Sequence, residues 1–187
     1  MLFKTMFATV VAAVSALAAP LEARDSTTQS HFGPSAFWAY NVRTGAIESH
    51  KRGVVSKFDA NKGNDITALL TFTYPAASAG KQCQFAFYLN SGGNFHGSGK
   101  LDLYSSNSAA PGPTTGWGPG NQRNKHLGRL SIVRGKDATW DATYNAYLTK
   151  KTPCKPPGTV EAFELVGVYD NDFVSWHPNG AGPRIFY

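Results

Sequence analysis

Hydrophobic and polar residues alternate with a period of two through most of the chain that follows the N-terminal segment. The clearest example is residues 82–89, where Cys83, Phe85, Phe87 and Leu89 alternate with polar or smaller residues. This spacing predicts a β-strand with one face on a hydrophobic core. We expect this strand to lie in the middle of a sheet and its cysteine to be linked to a distant segment.

Similar alternation between turn signals predicts roughly eight to ten short strands, and no helical periodicity follows the N-terminal segment. The predicted strands are Ala36–Asn41, Val54–Phe58, Ile66–Tyr74, Gln82–Leu89, Lys100–Ser105, Leu127–Val133, Ala138–Leu148, Thr159–Val168, Phe173–Trp176 and Arg184–Tyr187. The third and fourth are expected to be neighbours in one sheet. The pattern predicts an all-β fold: a single-domain antiparallel β-sandwich of the jelly-roll kind.

The first residues have the pattern of a secretory signal peptide. A short positive start, Met1–Lys4, precedes an apolar run, Thr5–Ala18, that is too short to cross a bilayer comfortably and ends in a small-x-small cleavage site. We expect residues 1–18 to be the signal peptide and residues 19–30 to be a propeptide, cut after Arg24, or a disordered N-terminus. Residues 31–187 then form the β-sandwich domain of a protein that is secreted, in the extracellular space or the cell wall, without membrane insertion.

Composition agrees with an extracellular all-β protein. Charged residues make up 16% of the chain, below the roughly 25% of an average soluble protein. The net charge of +6 comes from scattered basic residues, which form no stripe or motif for nucleic acid. Ordinary solubility charge is one interpretation, and a mild attraction to anionic glycans, cell walls or membranes is the other. We expect a monomer.

The chain has two cysteines, Cys83 and Cys154. In an oxidising secretory route they predict one disulfide, and the alternative is two buried free thiols. In the chain-entropy account, closing so long a loop stabilises the fold by about 4 kcal/mol.

Catalytic and metal-binding arrangements are not evident. Asp170 and Asp172 are two residues apart and would share a face of an extended segment, as calcium ligands or the acid and base of a glycosidase would. The alternative is ordinary turn chemistry before a strand. The histidines lack zinc-site spacing, and Gly97-Ser98-Gly99 lacks the context of a nucleophile elbow. The sequence therefore predicts no catalytic residue, no metal and no cofactor.

Aromatic residues in loops are the candidate ligand contacts. Trp117 lies in a long loop, Ser106–Asn121, and Phe95 and His96 lie in a glycine-rich loop. Long loops in compact domains are often functional, and an exposed tryptophan can stack on a sugar or anchor a protein contact. The alternative for Trp117 is a side chain folded back over the core.

Two segments of this sequence carry ordered motifs that are each centred on a cysteine: the first runs from Gly80-Lys81-Gln82-Cys83 to Leu103, and the second runs from Pro153-Cys154 to Trp176. Together they resemble the But2 C-terminal-like domain of secreted fungal proteins. The resemblance, over roughly Ser56 to Tyr187, implies a β-sandwich and a secreted or wall-associated fungal protein without known enzymatic activity. The sequence departs from the family's Cys-Pro-Ala-Gly pattern in the segment that ends at Gly158. The family takes its name from binding a ubiquitin-like modifier, a cytosolic or nuclear partner that a signal peptide argues against.

Together these features predict a secreted, non-catalytic fungal protein of the extracellular space or cell wall, with a cell-wall glycan as a candidate ligand. One alternative is a host-directed effector that binds a host protein. Another is a small secreted glycan-active enzyme that uses carboxylates such as Asp170 and Asp172.

Overall fold

The computed structural model describes residues 29–144 and 148–187. The predicted signal peptide and nearly all of the predicted propeptide lie outside these ranges. The strands are β1 (His31–Phe32), β2 (Ala36–Asn41), β3 (Ile47–Glu48), β4 (Gly53–Phe58), β5 (Ile66–Thr73), β6 (Gln82–Leu89), β7 (Asn94–His96), β8 (Lys100–Ser106), β9 (Arg123–Ser131), β10 (Lys136–Asp137), β11 (Thr139–Thr143), β12 (Thr152–Pro153), β13 (Val160–Gly167), β14 (Asn171–Trp176) and β15 (Gly182–Phe186). Short 3-10 turns occupy Asp59–Asn61 and Ala76–Ser78. Within the described ranges, no helix has the length and apolar character needed to cross a membrane.

The strands form two sheets that pack as a sandwich. The small sheet has the order β1-β15-β6-β10, and β12 also pairs with β6. The large sheet has the order β11-β9-β8-β13-β5-β4-β14-β7, with β2 paired to β5 and β3 paired to β2. The predicted all-β antiparallel sandwich is confirmed.

The core between the sheets is built from the alternation of the strands. On β6, the side chains of Cys83, Phe85, Phe87 and Leu89 are fully buried, and the residues between them are not. β6 has neighbours on both sides, β15 and β10. The predicted face and the central position of this strand are both confirmed.

The expected pairing of β5 with β6 is wrong, because the two strands lie in opposite sheets. Phe72 of β5 and Phe85 of β6 meet edge to face across the core, with ring centroids 6.1 Å apart. The connection between the strands includes Pro75 and a 3-10 turn, and it is longer than the two to five residues typical of a hairpin. It carries the chain from one sheet to the other.

The predicted disulfide between Cys83 and Cys154 is present. Thr152 of β12 lies opposite Cys83 of β6, and the Cys154 amide donates a hydrogen bond of 2.9 Å to the Lys81 carbonyl. The disulfide therefore joins two neighbouring segments of the small sheet that are 71 residues apart in sequence.

Trp176 is one of the large side chains of the core. Its indole is buried and lies 5.2 Å from the ring of Phe87. A Cβ atom at Gly53 or at Gly182 would overlap with this indole. Glycine at both positions lets the backbone of β4 and of β15 approach the tryptophan closely.

Candidate functional site

The outer face of the large sheet, the side away from the small sheet, has two parts. The first part is the Trp117 cluster, formed by Tyr40, Ile47, Leu69 and Trp117. Residues 107–122, which connect β8 and β9, lie over it. Ile47 and Thr114 exchange two backbone hydrogen bonds of 2.9 Å, and the indole of Trp117 meets the ring of Tyr40 edge to face at 6.0 Å.

Trp117 is only 9% exposed. Its side chain is therefore folded back onto the protein and is not exposed in the loop as a ligand contact would be. The physical reason is that this part of the outer face is apolar, and its apolar surface is removed from water by the loop. The indole packs on the outer face of the sheet and not on the core between the sheets. Little of its surface is left for a ligand.

Phe95 and His96 lie on β7, at an edge of the large sheet. Phe95 is half-buried against the core, with the Arg134 guanidinium 5.9 Å from its ring, and His96 is exposed beside Phe173. Two strands, β14 and β4, separate β7 from β5, where Leu69 of the Trp117 cluster lies. The three residues predicted as ligand contacts therefore do not form one site.

Asp170 and Asp172 have different environments. Asp172 is fully buried, and its carboxylate accepts hydrogen bonds from the Ser98 amide at 2.8 Å, the Ser98 hydroxyl at 2.7 Å and the Tyr169 amide at 2.9 Å. Asp170 is exposed and forms an ion pair of 3.2 Å with Lys57. A Cβ atom at Gly97, which has a φ of +78°, would overlap with the Asn171 carbonyl. These contacts are those of a carboxylate that fixes a turn.

The second part of the outer face is the tyrosine–arginine face, formed by Asp102, Tyr104, His126, Arg129, Tyr144 and Tyr169. The rings of Tyr104 and His126 stack at 4.6 Å with an angle of 17° between their planes. The ring of Tyr144 lies 4.7 Å from that of His126, with an angle of 47° between their planes. Tyr144 is 45% exposed and Tyr169 is 52% exposed. The result is a row of rings that reaches the surface at Tyr144.

Charged groups on this part of the sheet occur as pairs. The Arg129 guanidinium donates two hydrogen bonds to the Asp102 carboxylate, at 2.8 Å and 3.1 Å. Hydrogen bonding to Asp102 raises the pKa of Arg129. The His126 Nε2 atom lies 3.2 Å from the Asp102 Oδ1 atom, in a direction that does not form a hydrogen bond. The same arginine has its guanidinium carbon 5.9 Å from the centre of the Tyr169 ring.

A second pair, Arg123 and Glu164, lies between the two parts of the face. The carboxylate of Glu164 is fully buried and accepts hydrogen bonds from Arg123 at 2.8 Å and 3.0 Å, and from Thr67 at 2.7 Å. Burial lowers the pKa of Arg123, but the hydrogen bonds and charge of Glu164 outweigh this effect, so the pKa is raised. The guanidinium of Arg123 also lies 4.8 Å from the ring of Tyr104.

The tyrosine–arginine face was not predicted from the sequence, because two irregularities change which side chains point outward. Regular alternation in β11 would put Tyr144 on the same face as Trp140, which packs against Phe85 in the core. The register of β11 against β9 shifts between Trp140 and Ala142, and this bulge turns Tyr144 to the outer face. A second shift, between Leu103 and Tyr104, places Tyr104 opposite His126. The strand predicted to continue to Leu148 ends at Thr143, and residues 145–147 lie outside the described ranges.

One further cluster has groups that could suggest catalysis. The Ser131 hydroxyl lies 3.0 Å from the Lys100 Nζ atom and donates a hydrogen bond of 2.7 Å to Asp141, which also pairs with Lys100. A lysine that activates a serine acts as its base, whereas the Lys100 ammonium is engaged by the Asp141 carboxylate. This cluster is an ion pair on the sheet surface. In the part of the chain that the structure describes, no three His, Cys, Asp or Glu side chains are placed to hold a metal ion.

The fold and these contacts define a disulfide-linked antiparallel β-sandwich with one open, partly aromatic sheet face. Residues 43–177 match the family described as the ubiquitin 3 binding protein But2 C-terminal domain. The match covers most of the chain, so the protein belongs to this family, and the resemblance noted in the sequence is confirmed. A search of curated proteins finds no significant match.

Proposed function

We propose that this protein is a secreted, non-catalytic binding protein of the fungal extracellular space or cell wall, and that its ligand is a polysaccharide. The proposal rests on the tyrosine–arginine face, where Tyr144 and Tyr169 are about half exposed near Arg129. A tyrosine offers an apolar ring face and a polar tip. This combination matches a sugar ring, which has an apolar C–H face and a rim of hydroxyl groups.

Secretion is supported by the N-terminal signal pattern and by the Cys83–Cys154 disulfide, since disulfides persist in oxidising compartments. N-terminal sequencing of the protein from culture medium tests this part of the proposal. We expect a first residue of Ala19, or of Asp25 if a propeptide is cut after Arg24. Protein that remains in the cell with Met1 at its N-terminus would contradict secretion.

A binding role without catalysis is supported by the environments of Asp170 and Asp172, the two carboxylates that a glycan-active enzyme would use. The buried carboxylate of Asp172 accepts three hydrogen bonds, and Asp170 forms an ion pair with Lys57. A glycosidase needs carboxyl groups that reach the bond it cleaves, and burial withdraws the Asp172 carboxylate from a ligand. If the protein is not an enzyme, incubation with a polysaccharide releases no soluble reducing ends.

A protein partner is the second candidate. The family's description names a ubiquitin 3 binding protein, which favours a protein ligand over a glycan. A signal peptide would separate this protein from a ubiquitin-like partner in the cytosol or nucleus. A host-directed effector that binds a host protein remains compatible with secretion.

Sedimentation with insoluble chitin, β-glucan and cellulose tests the proposed function. We expect the mature folded protein to pellet with at least one of these polymers. The same protein after reduction and unfolding serves as the control for non-specific adsorption. Folded protein that stays in the supernatant with every polymer would overturn the polysaccharide proposal and leave the protein partner.

Phe95 and His96 stay a separate prediction, since they lie at the β7 edge and not on the tyrosine–arginine face. The double variant Phe95→Ala/His96→Ala in the same assay tests them. Equal binding by this variant and the original protein would remove these residues from the proposal.

A further inference from the structure

We propose that Tyr144, Tyr169 and the Arg129–Asp102 pair form a subsite for a neutral hexopyranose unit of an uncharged polysaccharide. This inference rests on the proposed function and adds the location of the site and the charge class of the ligand.

The charge class follows from the pairing of cations on this face. Arg129 is paired with Asp102, Arg123 with Glu164, and Lys100 with Asp141. An acidic sugar would have to compete with a carboxylate that already accepts hydrogen bonds from the arginine, and its own charge would be brought near that carboxylate. A neutral sugar meets neither cost.

The stacking surface follows from the position of the two exposed tyrosines relative to Arg129. The Arg129 guanidinium carbon lies 5.9 Å from the ring centre of Tyr169. The ring of Tyr144 lies 4.7 Å from that of His126, whose Nε2 atom is 3.2 Å from the Asp102 carboxylate that Arg129 binds. The ring of Tyr144 packs against that of His126, which is itself stacked on Tyr104. A tyrosine held in place by such a row loses little conformational entropy when a ligand binds.

The hydroxyl-binding element is the guanidinium of Arg129. An arginine has five N–H donors, and the described contacts of this guanidinium with Asp102 use two of them. The remaining donors have a fixed geometry because the pair with Asp102 holds the plane of the guanidinium. Hydrogen bonds to charged groups are stronger than those between neutral groups, so sugar hydroxyls are suitable acceptors here.

A similar set of side chains on the small sheet gives an internal comparison. Arg184 pairs with Asp137, and its guanidinium carbon lies 4.6 Å from the ring centre of Tyr88 and 5.0 Å from that of Phe186. The Arg184 side chain is only 10% exposed, so its donors are not presented to solvent as those of Arg129 are. Tyr88→Ala is therefore a matched control, since it removes a tyrosine beside an arginine–aspartate pair from the other sheet.

The experiment is isothermal titration of the mature protein with soluble neutral oligomers of β-glucan and chitin, and with polygalacturonate as the acidic polymer, at low and high ionic strength. We expect a neutral oligomer to bind with little dependence on salt. Tyr144→Ala and Tyr169→Ala should each weaken this binding roughly tenfold. Arg129→Lys, which keeps the charge and the pairing with Asp102 but loses the planar fork, should also weaken it. Tyr88→Ala should bind as the original protein does.

The outcomes separate the inference from the proposed function. Neutral oligomers that bind equally well to the three face variants overturn the inference and leave the proposed function in place. Binding of polygalacturonate alone, weakened by salt, also overturns the inference alone. Absence of binding to any polysaccharide overturns both, and so does capture of a protein partner that requires Tyr144 and Tyr169. Far-UV circular dichroism and unfolding midpoints of each variant exclude loss of fold as the cause.

Discussion

The two parts of the large sheet's outer face carry similar side chains but differ in how the chain covers them. Each part has two aromatic rings and lies beside an arginine–carboxylate pair. In the Trp117 cluster the rings are Tyr40 and Trp117, and the pair is Arg123–Glu164. On the tyrosine–arginine face the rings are Tyr144 and Tyr169, and the pair is Arg129–Asp102. Residues 107–122 lie over the Trp117 cluster, and Trp117 is consequently buried. The tyrosines of the other part remain about half exposed.

This difference shows what distinguishes a structural aromatic residue from one available to a ligand. The neighbours of Trp117 are apolar, so burial by a loop removes a hydrophobic surface from water. The neighbours of Tyr144 and Tyr169 include charged groups that are already paired, and an open face leaves those groups hydrated without cost.

Trp117→Ala should have the largest effect, because it removes the side chain that connects the loop to the sheet. We expect the free energy of unfolding to fall by about 3 kcal/mol, measured by urea denaturation. Thr115→Ala, an exposed position of the same loop, is the control and should change stability by less than about 0.5 kcal/mol. Equal stability of Trp117→Ala and the original protein would mean that the loop is not held by this indole.

Glu164→Gln should have the next largest effect, since it leaves the Arg123 guanidinium without its charged partner. Arg123 is about one-third exposed and can be partly rehydrated, so we expect a loss of about 2 kcal/mol, less than for a fully buried pair. Asp102→Asn makes the same change on the tyrosine–arginine face, and about 1 kcal/mol is expected there because Asp102 retains some exposure. A larger loss for Asp102→Asn, measured by urea denaturation, would show that the open part is the more tightly held one.

The fold could be predicted from the sequence where alternation is regular. In β6 and in β2 the predicted strands agree closely with the observed ones, because each has one face on the core or on an apolar cover. The pairing of β5 could not be predicted, because side-chain alternation indicates which face of a strand is buried and not which strands are its neighbours.

The candidate site was missed for a related reason. A bulge adds one residue to a strand and reverses the face of every side chain beyond it, and no feature of the sequence around Asp141 indicates one. Partners such as Arg123 and Glu164 are also far apart in sequence. Turn chemistry at Asp172 is one of the interpretations that the sequence supports, because acidic residues before a strand are common in turns.

Tyr144→Ala and Tyr169→Ala should leave stability almost unchanged, in contrast to Trp117→Ala. Both side chains are about half exposed, so we expect each variant to lose less than about 0.5 kcal/mol in urea denaturation. A loss as large as that of Trp117→Ala would indicate that these tyrosines hold the sheet together and are not kept open for a ligand.

Lys100→Met should have a small effect, and the effect should depend on pH. A hydrogen bond from Lys100 lowers the pKa of Asp141 below its usual value. The folded state therefore gains stability from this pair at pH values above the pKa that Asp141 has in the unfolded chain, about 3.9, and loses it as the pH falls through the lower pKa of the folded state.

Because the pair lies near the surface, we expect the variant to be less stable than the original protein by under about 1 kcal/mol at neutral pH. Urea denaturation from neutral pH to about pH 3 should show the difference shrinking as Asp141 becomes protonated. A difference that is the same at every pH would mean that Lys100 stabilises the sheet through packing of its methylene groups, as a long side chain can, and that the ion pair contributes nothing to the open part of the face.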